Sequence, residues 1–174
     1  MERSEILKRH EILNNISSLP QKVLSLHGTE NVAEFVLHDL CNQNCFDLQK
    51  AAYIVDNPDF DCLKGVAGYC TDQSYTTKNN IWETPELFAQ YMKKAPFNQK
   101  VRSMSKPSMR KSSKSDEETT AFVADFLGLS NPLFCSWQMK HDNHGFLIYE
   151  VNCCPVSQDI LLNGACMLGF CPIY

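Results

Sequence analysis

The chain has 174 residues, of which 44% are hydrophobic and 21% charged, a composition typical of a globular protein of about one domain. This excludes a wholly disordered, collagen-like or coiled-coil chain, and the apolar runs are shorter than the roughly 18–20 residues that a membrane helix needs. The formal net charge of −4 argues against a nucleic-acid partner. The sequence therefore predicts a single domain, 1–174, without a membrane partner.

Nine cysteines are the most unusual feature of the composition. Residues 1–10 alternate charged and apolar side chains and lack the apolar core of a secretory signal peptide. We therefore expect a cytoplasmic, reducing location, in which most of the cysteines are free thiols packed as small hydrophobic side chains.

Three helices are predicted before the first strand. Apolar residues at helical spacing predict an N-terminal amphipathic helix over 3–17. Pro20 begins a short second helix over 20–27, because proline favours the first position of a helix. Thr29 can cap a third helix over 30–42.

A first hairpin follows, with strands over 50–56 and 62–69 joined by the turn sequence Asn57-Pro58-Asp59. A turn centred on the last of these residues places Cys70 opposite Leu48. Because successive residues of a strand are about 3.3 Å apart along its axis, this register predicts which cysteines can lie close together.

The predicted register brings Cys70 towards Cys45 and Cys41, and His38 lies nearly one helical turn before Cys41. Thiolate and imidazole are zinc ligands, although the chain has no Cys-x2-Cys pair. One alternative function is therefore a cytosolic metal-binding or thiol-redox protein that uses His38, Cys41, Cys45 and Cys70. The residues identify no particular cofactor.

Two further helices are predicted in the middle of the chain. Pro85, after Thr84, begins a helix over 85–94, and Ser115 with Glu118 forms a capping box that begins a helix over 116–127.

Residues 98–115, which join these two helices, contain six basic residues, six serines and no acidic residue. The remaining chain holds 10 basic and 20 acidic residues, so the two parts carry opposite charge. We interpret the segment as a flexible, solvated arm. Because phosphate would reverse its charge, a phosphorylation-tuned protein-interaction module is a second alternative function.

A second hairpin is predicted from strands over 134–140 and 146–152 and the loop 141–145. A turn centred near Asn143 places Cys135 opposite Val151. One face of this hairpin is then an apolar core face, which consists of Cys135, Trp137, Met139, Leu147, Tyr149, Val151 and Cys153.

The opposite face of the same hairpin carries Ile148 and four polar residues, Ser136, Gln138, Glu150 and Asn152. If helices 85–94 and 116–127 cover this face, its polar groups line a closed pocket and need hydrogen-bond partners, which a small molecule can supply. These four residues are the candidate ligand-binding residues.

A last helix over 158–168, capped by Ser157, completes the predicted order of elements. That order indicates an α+β fold with a central antiparallel sheet and helices on both faces. His141 and His144 lie in the hairpin loop and are expected at the surface. No motif that joins a nucleophile to a base is present, so the sequence favours binding over catalysis.

Both hairpins carry a family resemblance. Residues 51–56 and 63–67 resemble the first hairpin of GAF domains, an apolar strand ending in Asp, a short turn and a strand of small residues. Residues 145–152 resemble the late GAF strand, which carries an acid and then Asn near its end. The resemblance spans about residues 20–170.

This resemblance implies a GAF/PAS-like fold and a sensory or signalling module that binds a small molecule. One enzymatic branch of the family, the free methionine sulfoxide reductases, has acidic strand residues at positions similar to Glu150 and Asn152. Its catalytic cysteines lie in the middle segment, and residues 71–134 contain none here. The expected function is therefore a non-catalytic ligand-binding module, and we also expect a homodimer formed through the terminal helices.

Overall fold

A computed structural model describes residues 2–73 and 80–173. Within them, the helices are α1 (Glu2–Ser25), α2 (Val32–Cys41), α3 (Pro85–Lys94), α4 (Pro96–Arg102), α5 (Asp116–Leu127) and α6 (Gln158–Ala165), with short 3-10 helices at Thr71–Gln73 and Cys166–Phe170. The strands are β1 (Leu48–Asn57), β2 (Cys62–Cys70), β3 (Ser105–Lys106), β4 (Leu133–Gln138) and β5 (His144–Val151).

The five strands form one antiparallel sheet in the order β3-β2-β1-β5-β4. Helices α1, α2, α3 and α6 pack on one face, and α4 and α5 pack on the other. The predicted α+β class, with a central antiparallel sheet covered on both faces, is confirmed, and the layout is consistent with a GAF/PAS-like fold. No helix in the described part of the chain combines the length and apolar character needed to cross a membrane.

The two central strands supply side chains to both cores. Tyr53 of β1 and Tyr149 of β5 are buried on the α2 side, whereas Ile54 and Ile148 are buried on the α4 and α5 side. Because successive strand side chains point to opposite faces, a strand covered on both faces is apolar at most of its central positions. This explains the continuous apolar runs in both strands.

The N-terminal helices differ from the prediction. The expected helices over 3–17 and 20–27 form the single helix α1, which continues through Pro20. Leu19 and Val23 pack on either side of the proline against the core, so burial keeps the helix continuous where the proline removes a hydrogen bond. Asn31, with a left-handed φ of 69°, precedes α2 in place of the predicted Thr29 cap.

In the first hairpin, Cys70 lies opposite Lys50 and not opposite Leu48. One residue of this displacement comes from the turn, which is centred between Asp59 and Phe60, and the other from a bulge between Tyr53 and Ile54, which cannot be read from the turn sequence.

The second hairpin has a different turn centre. Cys135 lies opposite Leu147 and not Val151, because the turn is centred near His141, where His141 and Asp142 adopt left-handed φ angles of 60° and 55°. The displacement is an even number of residues, so every side chain stays on its predicted face. Cys153 is the exception: it lies beyond the end of β5 and is exposed.

The segment 98–115 contains the end of a helix and a short strand, followed by turns over 107–115, where the sequence indicated only an irregular arm. Its first part belongs to α4, which packs across β2 at Gly65 and Gly68. A Cβ atom on Gly65 would lie 1.8 Å from the carbonyl oxygen of Val101, so only glycine allows this close approach. The Asn98 side chain also accepts a hydrogen bond from the Gly68 N–H at 2.8 Å, which covers part of the sheet edge.

The later part of the same segment is anchored by Asp56 of β1. This fully buried carboxylate accepts hydrogen bonds from the Ser108 hydroxyl and from the backbone N–H groups of Met109 (3.1 Å) and Arg110 (3.0 Å). The basic segment therefore turns against the end of the sheet before α5 begins at the predicted Ser115 capping box.

A second buried carboxylate joins the two helical layers around the edge of β2. Glu34 of α2 accepts hydrogen bonds from Arg102 (2.8 Å) and Asn98 (3.2 Å), both on α4. Burying a carboxylate is costly unless it is paired, and here the guanidinium supplies the opposite charge.

Candidate functional site

Two of the four predicted ligand-binding residues already have partners within the chain. The Ser136 hydroxyl donates to Asp116 at 2.6 Å. The Glu150 carboxylate is buried and accepts from the backbone N–H groups of Ser130 (2.5 Å) and Asn131 (2.9 Å). These contacts join β4 and β5 to the two ends of α5.

The other two predicted residues are exposed and lie far apart along the hairpin. Gln138 is at the loop end of β4, and Asn152, beyond the end of β5, donates to Asp47 at 2.8 Å. The structure therefore distributes the four residues along the sheet face and does not bring them together in one cavity.

Only one of the two helices expected on this polar face of the sheet packs there. Helix α5 packs on it, but α3 lies on the opposite face, where Phe88 and Met92 join the core around α2. Helix α4 takes the predicted place of α3, and buried Val101, Met104 and Val123 fill the space between the sheet and the helices.

The predicted thiol cluster lies at the end of α2. Cys41, Cys45 and Cys70 are buried, and the His38 ring is hydrogen-bonded to Asp39 at 3.0 Å. Burial, assisted by the nearby Asp39 carboxylate, raises the pKa of Cys45 to about 12, which disfavours the thiolate that binds metals.

Among the residues the structure describes, no group of three or more His, Cys, Asp or Glu side chains is arranged to hold a metal ion. The geometry thus gives no support to a metal centre at the cysteine cluster.

His144 was expected at the surface but is buried at the start of β5. Its Nε2 lies 3.4 Å from Asp116, whose carboxylate also accepts from Ser136 and lies 3.4 Å from Arg110. Burial, together with the positive charge of Arg110, lowers the pKa of His144. Because the Ser136 hydroxyl donates to a carboxylate and not to the imidazole, this cluster orders α5 against the sheet and does not activate a nucleophile.

The serines of the basic segment have different environments. Ser108 is buried at Asp56, whereas Ser112 and Ser113 are exposed in the following turn. Exposed lysines flank that turn at Lys111 and Lys114. A protein kinase could reach these two exposed serines without unfolding the sheet.

A cavity of about 670 Å³ opens at the loop end of the second hairpin, against the 3-10 helix Cys166–Phe170; we call it the hairpin-end cavity. Its lining comprises Trp137, Gln138, Met139, Lys140, His141, Asn143, Cys166, Gly169 and Phe170. Its volume lies in the range of small-molecule sites, about 300–1,000 Å³.

Two buried polar atoms on the lining residues of this cavity have no hydrogen-bond partner within the described chain. They are Nε1 of Trp137, a donor, and Oδ1 of Asn143, an acceptor. An unpaired buried polar atom costs about 1–3 kcal/mol, so natural proteins satisfy nearly all of them. A donor and an acceptor left unpaired beside one cavity point to a ligand.

The position of Trp137 depends on glycines and on a stacked aromatic ring. Its indole stacks on Tyr53 at a ring distance of 5.8 Å, and it lies over Gly145, its partner on β5. A Cβ atom on Gly145 would lie 2.5 Å from the indole. Trp137 packs on the predicted core face, but its place beside a cavity was not predicted. The signal for it is the Trp137–Gly145 cross-strand pair, which the predicted register did not contain.

A second cavity, of about 490 Å³, lies between the C-terminal part of α1 and residues 167–172. Its walls are almost wholly apolar and include Val23, Leu24, Met167 and Phe170. Phe170 borders both cavities, so its exposed ring separates an apolar groove from the more polar hairpin-end cavity.

Comparison of the chain with protein-family models, with curated proteins and with solved structures finds no match in any of the three. Its function must therefore be inferred from the geometry of the site.

Proposed function

We propose that this chain is a GAF-like, non-catalytic module that binds a small molecule in the hairpin-end cavity and has a sensory or signalling role in a reducing, cytoplasmic compartment. The observation that carries the proposal is the unpaired donor and acceptor, Trp137 Nε1 and Asn143 Oδ1, beside a cavity of suitable volume. The nine cysteines, all free and all within the described residues, support a reducing location.

The lining indicates the class of ligand. Trp137, Met139 and Phe170 provide aromatic and thioether surface, which favours a flat, aromatic molecule. Lys140 lines the same cavity, so an anionic group on the ligand would lie near a positive charge. The ligand also needs an acceptor for the indole N–H and a donor for the Asn143 carbonyl.

Binding requires a small movement, because both unpaired atoms are covered. A Cβ atom on Gly169 would lie 3.4 Å from Trp137 Nε1, so this glycine of the 3-10 helix covers the indole nitrogen. A 3-10 helix has poorer hydrogen-bond geometry than an α-helix and shifts at lower cost. Such a shift would transmit ligand binding to the C-terminal segment, which suits a sensor.

The probe for testing this proposal is 8-anilinonaphthalene-1-sulfonate, a flat aromatic anion. The chain has two tryptophans, so a ¹⁵N spectrum contains two indole N–H signals. We expect the Trp137 signal to shift and saturate on titration. The Trp82 signal should stay in place, because that indole is hydrogen-bonded to Asp39 on another part of the molecule.

The matched variants are Phe170→Ala and Phe60→Ala, which remove phenylalanines of similar exposure, 77% and 82%. Phe170→Ala should weaken probe binding about 3- to 10-fold, the worth of one aromatic contact, whereas Phe60→Ala in the first turn should leave it unchanged. A Trp137 signal that does not move, or equal losses in both variants, would contradict the proposal.

A further inference from the structure

Two of the nine cysteines differ from the rest in their accessibility. Cys153 and Cys154 are exposed, whereas the other seven are buried or half-buried. A thiol reacts only where a reagent can reach it, so these two thiols are the ones in the chain most accessible to thiol reagents.

The two sulfur atoms are already close enough to act together. Cys153 Sγ and Cys154 Sγ lie 3.8 Å apart. Two bonds of about 2.3 Å from one pyramidal, trivalent atom, at an angle of about 100°, separate the two sulfurs by about 3.5 Å. The two thiols therefore need to approach by only about 0.3 Å for both to bind one thiophilic atom.

The backbone at this point is fixed by Asp47, the residue that precedes β1. Asn152, immediately before the pair, donates its backbone N–H to the backbone carbonyl of Asp47 at 3.3 Å and its side-chain amide to the Asp47 carboxylate at 2.8 Å. The Cys153 thiol lies 4.0 Å from the Asp47 carboxylate, and the neighbouring Cys154 thiol together with this carboxylate raises the pKa of Cys153, so the pair is held as thiols until a reagent arrives. Both thiols are thus presented from an anchored point and not from a free chain end.

A cavity of about 450 Å³ borders Cys154 and is lined partly by apolar side chains. Ile12 of α1, Phe46, Val156 and Ile160 contribute this apolar wall. An organic group attached to the thiophilic atom would find apolar surface here.

The coordination number narrows the ligand class. Because the described residues hold no group of three potential metal ligands, a centre that needs three or four protein donors does not fit. A trivalent metalloid carrying one organic group needs two thiolates only, since the organic group supplies its third bond.

We propose that Cys153 and Cys154 form a vicinal dithiol site that captures trivalent organic metalloids such as arylarsenicals. With an arsenic oxide, both S–H bonds break and two S–As bonds form. The two protons leave with the oxide oxygen as one molecule of water, and neither sulfur nor arsenic changes oxidation state. The site is independent of the hairpin-end cavity.

The test uses phenylarsine oxide with the full chain. We expect one equivalent to bind, with the mass of one phenylarsenic group added and two hydrogens lost, located by peptide mapping to residues 153–154. The adduct should survive excess glutathione, a monothiol, but not excess 2,3-dimercaptopropanol, because only a dithiol competes with a chelate.

Three single variants complete the test. Cys153→Ser and Cys154→Ser should each increase release by glutathione about 100-fold, as expected when a two-point attachment becomes one-point. Cys62→Ser removes a half-buried thiol elsewhere and should behave as the wild type. The proposal would be overturned if the arsenic mapped to other cysteines of the wild type, or if either serine variant kept its arsenic in excess glutathione. Neither result would affect the proposed function.

Discussion

Asp56 shows how one buried side chain organises a long segment. Its carboxylate lies on a central strand, yet its three hydrogen-bond donors come from residues 108–110. Hydrogen bonds to a buried charge contribute about 1.5–3 kcal/mol each, so this contact holds a strongly basic segment against an acidic body.

Replacing Asp56 with alanine should therefore destabilise the fold by about 3 kcal/mol, because the two backbone N–H groups and the Ser108 hydroxyl lose their acceptor. Urea unfolding measures the loss. The control is Asp59→Ala in the exposed turn of the same hairpin, which should change the free energy of unfolding by less than about 0.5 kcal/mol. Equal effects of the two substitutions would show that Asp56 does not anchor the segment.

His144 makes stability depend on pH with a definite sign. Burial and Arg110 lower its pKa in the folded chain, so the unfolded chain takes up this proton first as the pH falls below the ordinary histidine pKa of about 6.5. The free energy of unfolding is therefore highest above that pH, and it decreases as the pH falls from there towards the lowered pKa of His144.

We expect the free energy of unfolding to fall less between pH 7 and pH 5 in His144→Gln than in the wild type. Urea unfolding at several pH values checks this difference. His141→Gln, which removes an exposed histidine of the same loop, is the matched control and should follow the wild type. If the free energy of unfolding of His144→Gln depended on pH as strongly as that of the wild type, His144 would be excluded as the source of the pH dependence.

At the scale of elements, the contact between α4 and β2 depends on two glycines. Gly65→Ala would place a methyl group against the backbone carbonyl of Val101, which cannot rotate away as a side chain can. We expect a loss of about 2–3 kcal/mol in thermal or urea unfolding. Gly169→Ala is the control, because its methyl group would approach other atoms no closer than 3.4 Å; a smaller loss at Gly65 than at Gly169 would contradict the packing described.

The elements with local signals were predictable from the sequence. Helix α3 begins at Pro85, and α5 begins at its Ser115–Glu118 capping box, because both signals lie within a few residues of the element they start. Both hairpins and both faces of β4 and β5 were predicted for the same reason, since alternation is a local pattern.

The errors concern interactions between distant residues. The order of segment 98–115 depends on Asp56 and Gly65, which precede their contacts Met109 and Val101 by 53 and 36 residues, so its composition alone indicated a loop. The register of the second hairpin depended on left-handed conformations at His141 and Asp142, which these residue types adopt less often than glycine. The hairpin-end cavity was missed because it forms only when the C-terminal 3-10 helix packs beside β4.

At the scale of the whole molecule, α1 presents an apolar line that its own chain leaves exposed. Ile6, Leu13 and Leu24 lie within about 20° of one another around the helix axis and extend over about 27 Å. The spacing of seven residues between the first two is that of helices which pack side by side. A second copy of α1 would cover this line, in accord with the expected homodimer.

Leu13→Glu should convert the homodimer expected from the sequence to a monomer, because it places a charge within this line. Sedimentation velocity over a range of concentrations measures the change. Leu87→Glu on α3 is the matched control, since the two leucines are similarly exposed, 46% and 51%. A wild-type chain that sediments as a monomer up to about 100 μM, a concentration far above the Kd of a stable dimer, would exclude the pairing.

Pro20 has a consequence for the motions of α1. The proline has no N–H, so the carbonyl of Ile16 loses its helical partner at the point where the helix meets the core. Residues 3–11 beyond it are exposed throughout. This N-terminal stretch should open as a separate unit, and its amide protons should exchange with deuterium long before those of the sheet. The boundary in local stability is thus expected just before Ile12, where the continuous helix α1 begins to pack against the core.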